Sequence, residues 1–343
     1  MLVSDFDYEL PENLIAQEPL THRVHSKMMV VDRKTQHISH SHFRCFTEHL
    51  NPGDLLVLNT SRVIPARLWG KIGKKDIEFL LLKENLAGQW ESLCRPSKKV
   101  KKDDVIVFSP SLTGKVAGVG DEGLRTIRFS KKDILKEIEQ IGYAPLPPYI
   151  KRMRRDQSLR HLDLERYQTV YAQQGMSIAA PTAGFHFTPQ VLAEIGKKDV
   201  QIAEIKLDVG LATFQPVRTV NLKEHTMLEE TFNISPYAAD LINRAKTGRR
   251  KVVAVGTTSV RALESAMQGD RIQAGPGSTS LFISPGFKFR VVDRMLTNFH
   301  LPKSTLLMLV SAFTGHDLIM PSYTQAVQQE YRFYSYGDCM FIK

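Results

Sequence analysis

Cysteine is scarce in this chain: Cys45, Cys94 and Cys339 are three among 343 residues, far apart and odd in number. They give neither a disulfide framework nor a clustered metal site. Long apolar runs are missing too, since no stretch approaches the roughly 18 residues that a membrane helix needs. The first residues, Met-Leu-Val-Ser-Asp-Phe-Asp, carry acids early and lack the basic, apolar, small-residue order of a signal peptide. No P-loop, Cys-x-x-Cys, His-Glu-x-x-His or Gly-x-Gly-x-x-Gly occurs, which removes the usual ATP, zinc and dinucleotide readings. The resulting expectation is a cytoplasmic protein with no metal, no prosthetic group and no membrane association. Acids are outnumbered, 36 against 46 Lys plus Arg, for a net charge of +10. That surplus favours a polyanionic partner such as nucleic acid, although many basic enzymes bind only small anions.

What is present fits a globular protein of two domains: 42% hydrophobic and 24% charged residues over a length too great for one ordinary domain. Leu50-Asn51-Pro52-Gly53-Asp54 reads as a turn, and Leu55 to Asn59 as a strand buried on both faces. From Leu68 to about Phe129 short β-rich runs alternate with Gly, Lys and Asp turns: Ile77–Leu82, Trp90–Cys94, Val105–Phe108 and Leu124–Phe129. Such spacing suggests a small barrel or sandwich. Lys131 to Ile141 reads as a short helix, and the Pro-rich stretch Ala144 to Tyr149 closes the region. Longer elements follow: a helix end at Val191–Gly196, a strand at Ile202–Val209, a helix at Pro236–Thr247 and a strand at Val252–Val255. A helix at Val260–Met267 and an apolar helix at Leu306–Phe313 complete them, while Gly275-x-Gly277 reads as a plain turn. The simplest layout is a layered α/β domain, residues 1–65 and 151–343, interrupted by a small β-domain at 66–150.

Three motifs can carry chemistry. Lys251 to Arg261 runs a buried strand through Gly256 into Thr257, Thr258 and Ser259, hydroxyls suited to capping a helix whose N-terminus attracts anions. On pattern alone the favoured reading is an ordinary capped helix after a strand. Ala179 to Thr188 is a small-residue loop ending in His186 between Phe185 and Phe187; the His can move protons or be a structural core residue. Leu296 to Thr305 packs Thr297, Asn298, His300, Lys303 and Ser304 against an apolar helix, as a site, as an N-cap at Ser304 or Thr305, or as both. Two basic clusters, Arg95-Lys98-Lys99-Lys101-Lys102 and Lys151-Arg152-Arg154-Arg155 beside Tyr149, suit phosphates and unstacked bases or are plain solvated loops. Residue chemistry alone supports a basic two-domain enzyme with at least one His-bearing site.

At these same residues the chain resembles the S-adenosylmethionine:tRNA ribosyltransferase-isomerase family of queuosine biosynthesis. The shared blocks run nearly end to end: Phe6 to Pro11, Leu14 to Gln17, Pro52-Gly53-Asp54, Arg62 to Arg67, Pro147 to Ile150 and Tyr167 to Ala172. They continue through Ala180 to Gly184, His186-Phe187-Thr188, Val255 to Arg261, Thr297 to Ser304, Tyr331-Arg332-Phe333 and Ser335 to Asp338. The resemblance implies an α/β domain with an inserted β-barrel, and transfer of the ribosyl part of S-adenosylmethionine, the co-substrate. The acceptor it implies is 7-aminomethyl-7-deazaguanine in the anticodon of a tRNA; the transferred ribosyl is isomerised to an epoxycyclopentanediol, giving epoxyqueuosine with release of adenine and methionine. A monomer is the default.

That chemistry needs a base at the carbon next to the sulfonium, an acid for adenine and a neutral aminomethyl nitrogen. The resemblance points to His186 and His300, with Asp338 or Glu229 as carboxylate partners. For S-adenosylmethionine it implies Thr182, Gly184, Phe187, Gly210, Thr213, Phe214, Gly256, Thr257, Thr258, Ser259, Arg261 and Asn298. For tRNA the basic positions are Lys98, Lys99, Lys101, Lys102, Lys151, Arg152, Arg154 and Arg155. The chain departs from the family pattern where Asp208 and Leu228 replace histidines and Ala212 replaces glycine. A methyltransferase would instead release S-adenosylhomocysteine, and a binding protein without catalysis would release no adenine.

Overall fold

In the computed structural model, which describes residues 1–85, 87–173, 175–208, 217 and 219–343, the chain forms two compact units. The first takes Met1–Ser61, Gln168–Gln174 and Pro181–Lys343. The second takes Arg62–Tyr167 and Gly175–Ala180.

Strands β1 (Lys27–Asp32), β2 (His37–His42) and β3 (Leu55–Asn59) open the first unit. The second holds β4 (Arg67–Ile72), β5 (Lys75–Glu84), β6 (Trp90–Arg95), β7 (Val105–Ser109), β8 (Leu112–Val119) and β9 (Leu124–Phe129), then helices α1 (Leu135–Ile141) and α2 (Arg160–Arg166). The chain returns through α3 (Pro189–Lys197), β10 (Gln201–Asp208), β11 (Glu230–Ile234), α4 (Pro236–Thr247), β12 (Val252–Val255) and α5 (Thr257–Ser265). The short pair β13 (Met267–Gln268) and β14 (Arg271–Ile272) precedes β15 (Gly275–Thr279), β16 (Arg294–Asn298), α6 (Thr305–Thr314), α7 (His316–Gln328) and β17 (Cys339–Ile342).

The first unit is built on a nine-stranded sheet in the order β15-β11-β10-β3-β12-β16-β17-β1-β2. Its centre, β10, β3, β12 and β16, is parallel. Apolar side chains fill β3 and β12 on both faces, the pattern of strands covered on two sides. Leu56, Leu58, Val253 and Val255 join the buried cluster of Phe43, Phe46, Phe187 and Phe341, with Val191 and Ile195 of α3. Helices α4 and α5 contact the same strands. The turn before β3 is fixed from within: the amide of Asn51 donates to Asp54 Oδ2 at 2.9 Å, and Gly53 has φ +83°, a conformation that costs glycine nothing.

The second unit is a closed antiparallel barrel, β4-β5-β6-β9-β8-β7. Period-two alternation aims Ile77, Phe79 and Leu81 of β5 inward with Leu68, Ile106, Val116 and Ile127. The α/β layering with an inserted barrel thus matches the fold class expected from sequence. Residues 151–167 pack with the barrel, whereas the sequence reading ended the β-domain at 150. Arg160 donates to the carbonyls of Gly142, Glu139 and Gln140, and Arg155 pairs with Asp76 at 2.7 Å. Ser177 also bonds both ways with the Arg62–Ile64 backbone.

Several local readings change: the helix expected at Val260–Met267 runs Thr257–Ser265, and Met267 already lies in β13. The helix expected from Lys131 begins only at Leu135, where Asp133 Oδ1 captures the Leu135 amide at 3.0 Å. Strand β8 was hidden from a hydrophobicity reading by Gly114 and Gly118. Gly275 to Thr279 is an edge strand and not a turn; Gly277 lies opposite Phe232, and a Cβ there would sit 2.6 Å from that ring. Among the described residues no helix is long and apolar enough to cross a membrane.

Candidate active site

The four central strands are parallel, so their carboxyl ends share one edge of the sheet. Among them the chain passes from β3 to β10 on one side and from β12 to β16 on the other. That reversal is the place where open α/β sheets hold ligands. Val57 pairs with Ala254 and Val255 with Leu296, so the continued register sets Asn59, Gly256 and Thr297 in one row. Asn59 ties the end of β3 to β10, its Oδ1 accepting from the amides of Ser61 at 3.0 Å and Leu207 at 3.2 Å. Its Nδ2 is buried without a partner.

Beyond β12 the chain turns at Gly256, φ +89°, which is the N-cap of α5. The hydroxyls expected to cap this helix do not, because the left-handed turn falls on the glycine and shifts them to the first helical positions. Ser259 Oγ instead donates back to the Val255 carbonyl at 2.7 Å, and no side chain caps the first turn. First-turn amides near Thr257 and Thr258, together with the helix dipole, favour an anionic group. Arg261 points elsewhere: it pairs with Glu230 at 2.6 Å and donates to the carbonyls of Leu281 and Thr279.

Against Gly256 lies the loop Thr182–His186; a Cβ on Gly256 would sit 3.9 Å from that of Ala183. Gly184 has no room for a side chain, since a Cβ would come within 2.0 Å of Tyr171 Oη and 2.8 Å of Thr169 Cγ2. Thr182 is half-buried. Phe187, expected to stack on a ligand, is wholly buried between Phe43, Phe46 and Tyr171.

His186 is buried, with Nδ1 3.0 Å from Ser26 Oγ. Ser26 donates its one proton to the Arg23 carbonyl at 3.2 Å, so it accepts from Nδ1–H and leaves the lone pair on Nε2. Nε2 has no partner, and neither does the buried Oδ1 of Asn298, whose Nδ2 donates to the Tyr334 carbonyl at 2.9 Å. Burial pushes the imidazole down to about 4, with the Asn298 side chain opposing and the Arg23 charge adding to the fall. His300 is pushed to about 3 by burial. Its Nε2 lies 2.9 Å from Thr297 Oγ1, its amide donates to Tyr323 Oη at 3.0 Å, and its carbonyl accepts from Tyr8 Oη at 2.5 Å. Ser304 caps α6, accepting from the Leu307 amide at 3.2 Å.

Both imidazoles are neutral in the fold and titrate ordinarily when unfolded. The unfolded chain therefore binds more protons, and stability present above about pH 6.5 is lost as pH falls toward 4. Each histidine should remove about 3 kcal/mol by pH 4. Urea midpoints between pH 7 and 4 should fall more steeply for the native chain than for a His186→Gln/His300→Gln variant; parallel slopes would refute buried neutral imidazoles.

Among the described residues neither carboxylate considered as a partner bonds to His186 or His300, although Asp338 holds the residue after Ser26. Asp338 is buried and accepts from the amides of Lys27 and Arg332, both at 2.8 Å; burial raises its pKa and those amides pull it back. Glu229 is exposed, accepting from Ser278 Oγ at 2.6 Å, while the next residue, Glu230, faces inward. Leu228 is exposed. Gly210, Ala212, Thr213, Phe214 and the Asp208 side chain lie outside the described residues. Among the described residues no group of three or more His, Cys, Asp or Glu is placed to hold a metal ion.

The family model of the queuosine biosynthesis protein matches residues 3–342. A curated S-adenosylmethionine:tRNA ribosyltransferase-isomerase from Desulforamulus reducens is 47% identical over 348 aligned positions, covering 100% of both chains. Its namesake from Clostridioides difficile is 48% identical over 349, again with 100% of both covered. The crystal structure of the S-adenosylmethionine tRNA ribosyltransferase from Thermotoga maritima is similar at a TM-score of 0.57 and 39% identity, over 99% of this chain and 100% of that one. The chain belongs to the S-adenosylmethionine:tRNA ribosyltransferase-isomerase family. The sequence blocks pointed to this enzyme class, and the full-length relatives bear it out.

On this ribosyltransferase-isomerase the cations nominated from sequence divide sharply. Arg152 is held by Asp163 through two bonds, 2.8 and 2.9 Å. Arg155 is paired with Asp76 and, with Arg154, lies over the Trp69 ring at 5.9 and 5.8 Å. Lys151, Lys101 and Lys102 are exposed. Lys98, Lys99 and Arg154 line one open cleft with Arg95. Sequence reasoning missed Ser26, which orients His186, and Glu230; neither carries a local signal beyond its residue type.

Proposed function

We propose that this enzyme moves the ribosyl moiety of S-adenosylmethionine onto 7-aminomethyl-7-deazaguanine at the wobble position of a tRNA. The transferred ribosyl is isomerised to the epoxycyclopentanediol of epoxyqueuosine, and adenine and methionine leave. The observation that carries the reading is buried His186, its Nε2 without a partner, on the loop that packs against the uncapped α5 turn at the carboxyl edge of the sheet. The sulfonium makes the adjoining ribose carbon acidic. Removing that proton calls for a neutral base, which an imidazole held at low pKa supplies at physiological pH. The Asn298 side chain, which favours the charged ring, stabilises the imidazolium that forms. The α5 amides near Thr257 and Thr258 suit the methionyl carboxylate. Ser259 braces the turn from behind, while Arg261 anchors α5 to Glu230.

The test is product identity. Incubated with S-adenosylmethionine and tRNA bearing the aminomethyl base, the enzyme should release adenine and methionine in equal amounts and incorporate the ribosyl carbons into RNA. S-adenosylhomocysteine as the product would replace this reading with methyl transfer. RNA binding with no adenine would replace it with binding alone.

A further inference from the structure

The barrel unit carries an open cleft of about 640 Å³ lined by Arg95, Ser97, Lys98, Lys99, Arg154 and Asp76. Asp76 is the one acid among these, and Arg155 already neutralises it at 2.7 Å. Arg95, Lys98, Lys99 and Arg154 are exposed and face no carboxylate within ion-pair distance among the described residues. Four like charges in one cleft repel one another, a cost that an anion with several charges removes.

The loop that presents them is fixed from inside. Arg125 is buried, and its guanidinium donates to the carbonyls of Val100 at 3.1 Å, Ser97 at 2.7 Å, Gly120 at 3.3 Å and Leu124 at 2.7 Å. Cys94 Sγ adds a contact to the Gly123 carbonyl at 3.5 Å. Lys98 and Lys99 thus stand on a backbone whose order does not have to be gained on binding. On the opposite wall Arg154 lies over Trp69.

We propose that this cleft seats the phosphodiester backbone of the RNA substrate, with Arg95, Lys98, Lys99 and Arg154 as its cations and Arg125 as the positioning residue. The inference rests on the reading that tRNA is the acceptor and adds where the backbone is held. Spaced cations in an open cleft fit successive phosphates of a strand; a single small anion is better served by converging amides and an enclosed pocket.

The experiment is equilibrium binding of a synthetic anticodon stem-loop RNA to the full chain without S-adenosylmethionine, across a salt series. Arg95→Gln/Lys98→Gln/Lys99→Gln should bind about tenfold or more weakly and flatten the log–log salt slope by about 2. Arg128→Gln/Lys132→Gln/Lys136→Gln removes the same charge elsewhere on this unit and should leave both close to native. Equal losses in the two triples would reduce the effect to net charge and overturn the proposal. So would unchanged RNA affinity in the cleft triple, with inorganic pyrophosphate binding lost in its place. Because RNA affinity is read without the co-substrate, failure of ribosyl transfer would appear separately, as absent adenine with the affinity pattern intact.

Discussion

Replacing His186 by Gln should slow adenine release in a single turnover by about 10²–10⁴-fold, the range for loss of a positioned general base. Gln keeps a similar reach and a polar end group, but its amide does not take up a proton at neutral pH. S-adenosylmethionine affinity should change little, so the loss appears in the rate at saturating substrates and not in the half-saturating concentration. Ser26→Ala sharpens the test. Without Ser26 Oγ, Nδ1–H has no acceptor and the ring loses its preference for a free lone pair on Nε2. The rate should fall by a smaller factor, about tenfold, with the acid limb of the pH profile displaced, whereas a packing defect would lower the rate evenly at every pH. His300→Gln should cost less than His186→Gln, since Nε2 of His300 is engaged by Thr297 and its backbone is clamped by Tyr8 and Tyr323. A His186→Gln enzyme with native single-turnover rate ends its assignment as base.

The sequence made the architecture readable where one side-chain pattern dominates. Leu55 to Leu58 and Val252 to Val255 are unbroken apolar runs, and the strands that hold them, Leu55–Asn59 and Val252–Val255, are central with the expected bounds. Pro236 to Thr247 opens on proline after a serine cap and was likewise legible from end to end. Reading failed where glycine does a packing job. Gly114 and Gly118 sit inside β8, and Gly277 makes room for the Phe232 ring, so a strand looked like a turn. At the site, the small-residue loop and His186 were legible, because a histidine among Ala, Gly and aromatics is unusual whichever role it has. Its partners were not. Ser26 is 160 residues away, and the hydrogen bond that sets the tautomer exists only after the sheet has closed. Thr257, Thr258 and Ser259 looked like caps, but the conformation of one glycine decides which residue is the cap. Charge runs were the least readable, since Arg152 and Lys98 look alike in sequence until Asp163 is found against only the first.

Glu230→Ala should destabilise the fold by about 3–5 kcal/mol, the largest stability effect expected of a single polar substitution here. Glu230 and Arg261 side chains are only 1% and 3% exposed and meet at 2.6 Å. Removing the acid leaves a guanidinium in the interior that cannot shed its charge. Its remaining bonds, to the carbonyls of Leu281 and Thr279, satisfy donors but do not neutralise it. The neighbour provides the control. Glu229 projects to solvent from the same segment, and Glu229→Ala should move the urea midpoint by less than about 0.5 kcal/mol equivalent. A Glu230→Leu/Arg261→Met double variant, which removes both charges while filling the space, should recover most of the loss. The cycle also bears on the site, because Arg261 lies on α5 only four residues beyond Thr257. If Arg261 bound co-substrate, the double variant would regain stability yet lose S-adenosylmethionine affinity in proportion to a missing charge contact. As an internal strut it should regain both, and retained affinity beside restored stability is the outcome this geometry requires.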